Sequence, residues 1–208
     1  MITINIIIIA ITCLISYLAF SNEALMDKLI FYPPSITRDH QWYRFITSGF
    51  IHADMMHLGF NMLTLYFFGR NLEYIYASYF GVSPLWYLVL YFSSLIVSQI
   101  PSYLKNKNNY YYRSLGASGA VSAIVFSMIL LMPWSTLYVF IIPVPAIIYA
   151  VFYLGYSVYM SKKGGDSINH DAHIWGALYG ILFSIALHPD VLTIFFQEMS
   201  HPHFDLTP

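Results

Sequence analysis

The sequence predicts an all-α, polytopic membrane protein: a bundle of six transmembrane helices in one domain over residues 1–208. Three observations lead there. Of the 208 residues, 58% are apolar and only 9% are charged, against roughly 25% charged in soluble domains. Mean hydropathy is +0.61. Apolar runs long enough for a bilayer alternate with short polar breaks, and the longest, Ser114 to Ser161, contains no Asp, Glu, Lys or Arg.

The first helix is expected over about 2–20, close to the hydrocarbon thickness at about 1.5 Å per residue. No basic segment precedes it and no clear cleavage site follows, so it reads as a retained helix and not a signal peptide. Residues 21–56 form a long first loop with Pro33-Pro34, Lys28, Arg38 and Arg44, and with Trp42, Tyr43, Phe45 and Phe50. Aromatic and basic residues together suit the headgroup level, so a partly helical interfacial structure is expected. Helix 2 follows at 57–77. Gly81 to Pro84 is a turn into helix 3 at 84–104, with Pro84 in its first turn. The next apolar run is too long for one span and breaks at Met132-Pro133-Trp134, giving helix 4 at 117–131 and helix 5 at 137–160, the latter bent by Pro143 and Pro145. Helix 6 covers 172–187 and stops before Pro189; a tail, 188–208, carries His188, His201 and His203. There is no internal repeat.

Composition also excludes functions. A net charge of -1 gives no footing for nucleic acid. The single cysteine, Cys13, rules out an internal disulfide and paired-cysteine redox or metal motifs. No cofactor and no metal are expected, and nothing sets the oligomeric state.

Ser118 sits in Gly116-Ala117-Ser118-Gly119 at the mouth of helix 4. His173, Gly176 and Gly180 lie at i, i+3 and i+7 and share a face of helix 6, where glycines admit a close partner helix. If that face meets helix 4, His173 can take the Ser118 proton during attack on a carbonyl and return it to the leaving group. No carboxylate stands as a third member, since Asp171 is two residues from His173 and points elsewhere. A Ser-His dyad is the economical reading. His57 and Asn61, one turn apart, can donate to a developing oxyanion together with the Ser118 amide. The bland readings are that Ser118 and the glycines pack helices, that Asn61 bonds a neighbouring helix, and that His52, His57, His170 and His173 satisfy local partners or ligate a metal, for which no HExxH motif exists.

The joint pattern is more specific than its parts: His52-x4-His57-x3-Asn61, then Gly116-x-Ser118-Gly119, then Ala172-His173-x2-Gly176-x3-Gly180, after an aromatic, arginine-bearing first loop. Over about Gln41 to Leu187 this resembles the rhomboid intramembrane serine proteases, in their basic six-helix, bacterial-type form. The resemblance implies Ser118 as nucleophile and His173 as base. His57, Asn61 and the Ser118 amide would stabilise the oxyanion. Arg44 and Glu73 would be structural, with Gly116, Gly119, Gly176 and Gly180 packing around the dyad. Arg44 matches the arginine of the first-loop Trp-Arg pair, although Tyr43 precedes it here and Trp42 lies one further back. Residues 161–171 would cap the site and helix 5 would be a lateral gate. The substrates would be transmembrane segments of other membrane proteins. The alternative is a catalytically inactive rhomboid-like protein that binds membrane clients; such proteins usually lack the serine or the histidine. A small transporter or metal-binding protein is a third reading.

Two features depart from the family pattern. Many members carry an aromatic residue one turn after the serine, beneath the histidine; here it is Ser122. The family topology also puts Lys28, Arg38, Arg44, Lys105, Lys107, Arg113, Lys162 and Lys163 outside and only Arg70 inside, against the positive-inside rule. The fixed order of site residues still favours that topology, with a bacterial cytoplasmic membrane and a site opening to the extracytoplasmic side.

Overall fold

Helix 4 of the sequence reading is the axis of the molecule. In the computed structural model, which describes residues 3–139 and 141–202, it is Ser118–Leu131, and every residue from Gly119 to Leu131 is buried. The chain is mostly helical and runs in order α1 (Ile4–Phe20), α2 (Glu23–Leu29), α3 (Pro33–Asp39), α4 (Arg44–Thr47), α5 (Met55–Thr64), α6 (Arg70–Ser78), α7 (Leu85–Asn106), α8 (Ser118–Leu131), β1 (Thr136–Val139), β2 (Ile142–Pro145), α9 (Ala146–Lys163), α10 (His170–Leu187) and α11 (Val191–Ser200). The expected start of helix 1 at residue 2, Phe140, and His203 with the end of the tail lie outside the described residues.

The largest correction is at 137–145. The sequence reading placed these residues in a bent helix 5. Instead, Thr136–Val139 and Ile142–Pro145 are antiparallel strands, pairing Thr136 with Pro145 and Val139 with Ile142, so the fold is not wholly α. The reason is proline chemistry. Pro143 and Pro145, two apart, remove two amide donors and push the residues before them to extended backbone. The β-branched Thr136, Val139, Ile142 and Val144 accept that geometry. The helix begins just after the second proline, at Ala146.

Helix 2 begins at Met55, capped by the Asp54 side chain on the His57 amide at 2.7 Å. It is also not uniform: Leu65–Gly69 is a π turn between α5 and α6. A widened turn frees carbonyls, and the Leu65 carbonyl accepts the Asn5 side-chain amide of α1 at 2.9 Å. The Asn5 oxygen in turn accepts the Tyr87 hydroxyl at 2.7 Å. Glu73, buried on α6, accepts the Ile4 and Asn5 amides at 2.9 and 3.0 Å. It therefore caps the start of α1, whose first amides have no helical partner. Helix 6 begins at His170, two residues earlier than expected, because Asn169 caps it through the Ala172 amide.

The first loop is partly helical, as α2 to α4, and is tied down by Arg44. Its Nη1 donates to the carbonyls of Asp27 (2.8 Å) and Ile30 (2.6 Å), and its Nε to Gln41 Oε1 (2.6 Å). These are carbonyls of the α2 C-terminus that the helix itself leaves open. Arg44→Ala strands them, at a cost of about 2 kcal/mol. The expected result is a lower thermal midpoint in detergent, with limited proteolysis cutting first within residues 21–50.

By length and composition, Leu85–Asn106 alone among the described residues forms a single helix able to cross a membrane; α10 and α11 together make a second such run, bent by 112°. Helices α1 and α8 are apolar but shorter.

Candidate active site

The loop before α8 is fixed from three directions. Phe31 and Ser114 form a two-way backbone bridge at 3.0 and 3.1 Å. The Gly116 amide donates to the Ser48 carbonyl at 2.9 Å. The Ala117 amide donates to His52 Nε2 at 3.4 Å. Since Nε2 accepts, Nδ1 carries the proton and donates to Ser16 Oγ at 2.9 Å, while Ser16 Oγ donates to the Phe50 carbonyl at 2.9 Å. His52, which the sequence reading could only list among four histidines, thus links the α8 entry to α1. Gly116 has φ +111°, and a Cβ there would meet the His57 ring at 2.7 Å from Cε1. Only glycine allows both that backbone and that approach.

Ser118 is the first residue of α8. Its amide lies among the opening N–H groups that have no helical acceptor, at the positive end of the helix dipole. Helix α10 crosses α8 at the small residues. A Cβ on Gly176 would collide with the Gly119 carbonyl, and one on Gly180 with the Ala123 carbonyl. Backbones this close bring the turn that holds His173 beside the turn that starts with Ser118. Ser127 Oγ bridges the same pair of helices by donating to the carbonyls of Ala123 (2.8 Å) and Gly180 (3.0 Å).

One cavity of about 650 Å³ is lined by Ser118, His173, His57 and Asn61 together. Asn61, one of the lining residues, donates its Nδ2 to the His57 carbonyl one turn back on α5 at 2.9 Å. The wall is apolar at Phe60, Val121, Val125 and Phe126, and polar at Ser114 and Asn169. Such a mixture suits an extended apolar segment with its backbone held at few polar points. Asn169 Oδ1 accepts the Ser102 hydroxyl at 2.9 Å and so anchors the 164–169 loop to α7. In that loop, the hydrogen bond from His170 at 3.0 Å holds the Asp166 carboxyl below its ordinary range. His52 and His57 contact edge to face, as do His170 and His173, but no group of three metal-binding side chains forms among the described residues.

Arg44 and Glu73 lie away from the cavity, in the loop anchor and the α1 cap described above. Tyr153 of α9 also lines the cavity, and sequence reasoning did not single it out. Its signal was Ala146, Ala150, Tyr153 and Ser157 at i, i+4, i+7 and i+11, one face of α9 with a single large polar residue on it.

Comparison with known proteins covers the same stretch. The family model described as Rhomboid domain matches residues 39–190. The chain is 33% identical over 64% of its length to RHOMBOID-like protein 12, mitochondrial, of Arabidopsis thaliana. It is 32% identical over 66% of its length to Rhomboid protein 1, mitochondrial, of Saccharomyces cerevisiae. It is 31% identical over 68% of its length to Rhomboid-like protein 11, chloroplastic, of Arabidopsis thaliana. The chain spans 42%, 40% and 51% of these relatives' own lengths. Their names are organellar, which lends no support to the expected bacterial membrane or to a bacterial-type subclass.

Proposed function

The chain belongs to the rhomboid family, membrane-integral proteins that are generally intramembrane serine proteases, and from that premise we propose that it is itself such a protease, cutting transmembrane segments of other membrane proteins with a Ser118–His173 dyad. The observation that carries the reading is the convergence of Ser118, His173, His57 and Asn61 on one cavity.

In the proposed reaction, Ser118 Oγ attacks the scissile carbonyl carbon as the His173 ring takes its proton. The oxyanion forms against the Ser118 amide, the Asn61 side chain and His57. Collapse expels the amine, which receives the proton from His173 and leaves an ester on Ser118. Water then attacks that ester, again with His173 as base, and frees the acid.

Helices α1, α5–α6, α7, α8, α9 and α10 would be the six spans of the bundle. At about 1.5 Å per residue, the 14 residues of α8 make about 21 Å, short of the roughly 30 Å hydrocarbon layer. With its far end at one edge, its first turn would lie about 9 Å inside the other. Ser118 would then sit below the surface, in a cavity that must open to water on that side. The substrate would enter laterally between α5 and α9, unwinding as it reaches the cavity. Crosslinks from substrate confined to the outer faces of α1 and α7 would overturn that route.

Labelling of the detergent-purified full chain with a fluorophosphonate probe tests the activity: wild type labels and Ser118→Ala does not. Asn61→Ala, which removes one oxyanion donor, should slow labelling by about 10²-fold while leaving the thermal midpoint near wild type. Wild type that stays unlabelled beside an active rhomboid would favour the client-binding alternative.

A further inference from the structure

The proposed mechanism leaves one question about His173: what orients a base that has no third residue behind it. The neighbouring carboxylates are committed elsewhere. Asp171 is hydrogen-bonded by Ser161 and faces Lys105 at 3.8 Å, and Asp166 is taken by His170. The His173 ring instead lies against aromatic rings on two sides. His170 meets it edge-on at 5.8 Å, and Tyr153 stacks on it with centroids 5.9 Å apart and planes 18° from parallel.

Tyr153 is itself held on several sides. Its hydroxyl bonds Ser122 Oγ at 2.7 Å. Its ring stacks on Tyr149 at 5.5 Å and tilts against Phe126 at 5.7 Å. Ser122 stands one helical turn after Ser118 on α8. A single side chain from α9 therefore touches both the ring of the base and the helix of the nucleophile. A fixed ring face restricts rotation of the imidazole, and the electron-rich face favours the positive charge that His173 gains when it takes the Ser118 proton.

We infer that Tyr153 is a positioning residue for His173, stacked beneath the imidazole and registered to the nucleophile's helix by its hydrogen bond to Ser122. The inference rests on the protease reading and deepens it. It explains why a serine at 122 is compatible with a working dyad: the aromatic platform comes from α9, and Ser122 is the small polar residue that anchors it. An aromatic side chain at 122 would compete with Tyr153 for the same space.

The test is the concentration dependence of fluorophosphonate labelling, which separates the maximal rate of phosphonylation, kinact, from probe binding, KI. Wild type that labels at Ser118 establishes the protease reading before any Tyr153 variant is judged. Wild type that never labels overturns that reading and this inference with it. Given labelling, Tyr153→Leu should lower kinact about tenfold or more, the scale expected for a misplaced catalytic group, with KI changed less than about twofold. Tyr153→Phe keeps the stack and should lose only about threefold through the missing hydroxyl, the scale of one hydrogen bond; Ser122→Ala should lose the same. Because those two changes break one O–H···O contact, the double variant should be no slower than either single one. Should Tyr153→Leu fail to fold, as read from its thermal midpoint, this cycle decides alone. Wild-type kinact in Tyr153→Leu, a loss in KI only, equal losses for Leu and Phe, or multiplying losses in the cycle each overturn the inference.

Discussion

His173→Ala should label with the fluorophosphonate at least about 10³-fold more slowly than wild type, and Ser118→Ala should not label at all. The magnitude follows from what the base supplies. A serine hydroxyl is a weak nucleophile at neutral pH, and general-base assistance is worth about 10² to 10⁴-fold. His173→Ala keeps the helix-start amide of Ser118 and the Asn61 amide, so a residual rate above solvent survives. On the proposed mechanism the two variants thus differ in kind: one removes the atom that is phosphonylated, the other the group that takes its proton. Mass spectrometry of the labelled chain decides the site. Ser114, Ser122 and Ser167 line the same cavity, so label found on any of them, or a His173→Ala rate equal to wild type, would refute the dyad.

The parts of this arrangement that the sequence made legible are those governed by local spacing. Gly176 and Gly180 had to share a face with His173, and a glycine face needs a close partner; α8 meets that face at Gly119 and Ala123. His57 and Asn61 had to share a face by the same arithmetic. What escaped depended on contacts between distant segments or on competing backbone rules. The antiparallel strand pair differs from the expected bent helix because prolines two apart do more than kink a helix: both amides are lost and the residues before them turn extended. The π turn at Leu65–Gly69 answers to Asn5 and Tyr87, which only the packed bundle brings there. Tyr153 was missed because it approaches from a different helix, and Ser122 therefore read as a gap. His52 read as one of several histidines because its partners, Ser16 and Ala117, are 36 and 65 residues away.

Gly176→Val should be among the most damaging packing changes, alongside the same change at Gly180, where a Cβ would meet the Ala123 backbone just as closely. A Cβ at 176 would run into the carbonyl, carbonyl carbon and Cα of Gly119. These are backbone atoms that cannot swing aside as a side chain could. Relief requires α10 to move away from α8 as a body, which opens the most extensive helix pair of the fold and disturbs the Ser127 bridge at 123 and 180. Overpacking alone costs about 1–3 kcal/mol, and forced backbone separation puts this site at or above about 3 kcal/mol. The expected result is a large fall in thermal midpoint and loss of labelling together. Gly59→Ala serves as the control: a Cβ there meets nothing within 4 Å, and alanine favours a helix interior over glycine by about 1 kcal/mol, so its midpoint should hold or rise. If Gly176→Val kept a wild-type midpoint, α8 and α10 would not be in backbone contact. The separation that sets Ser118 against His173 would then have to be fixed by other elements.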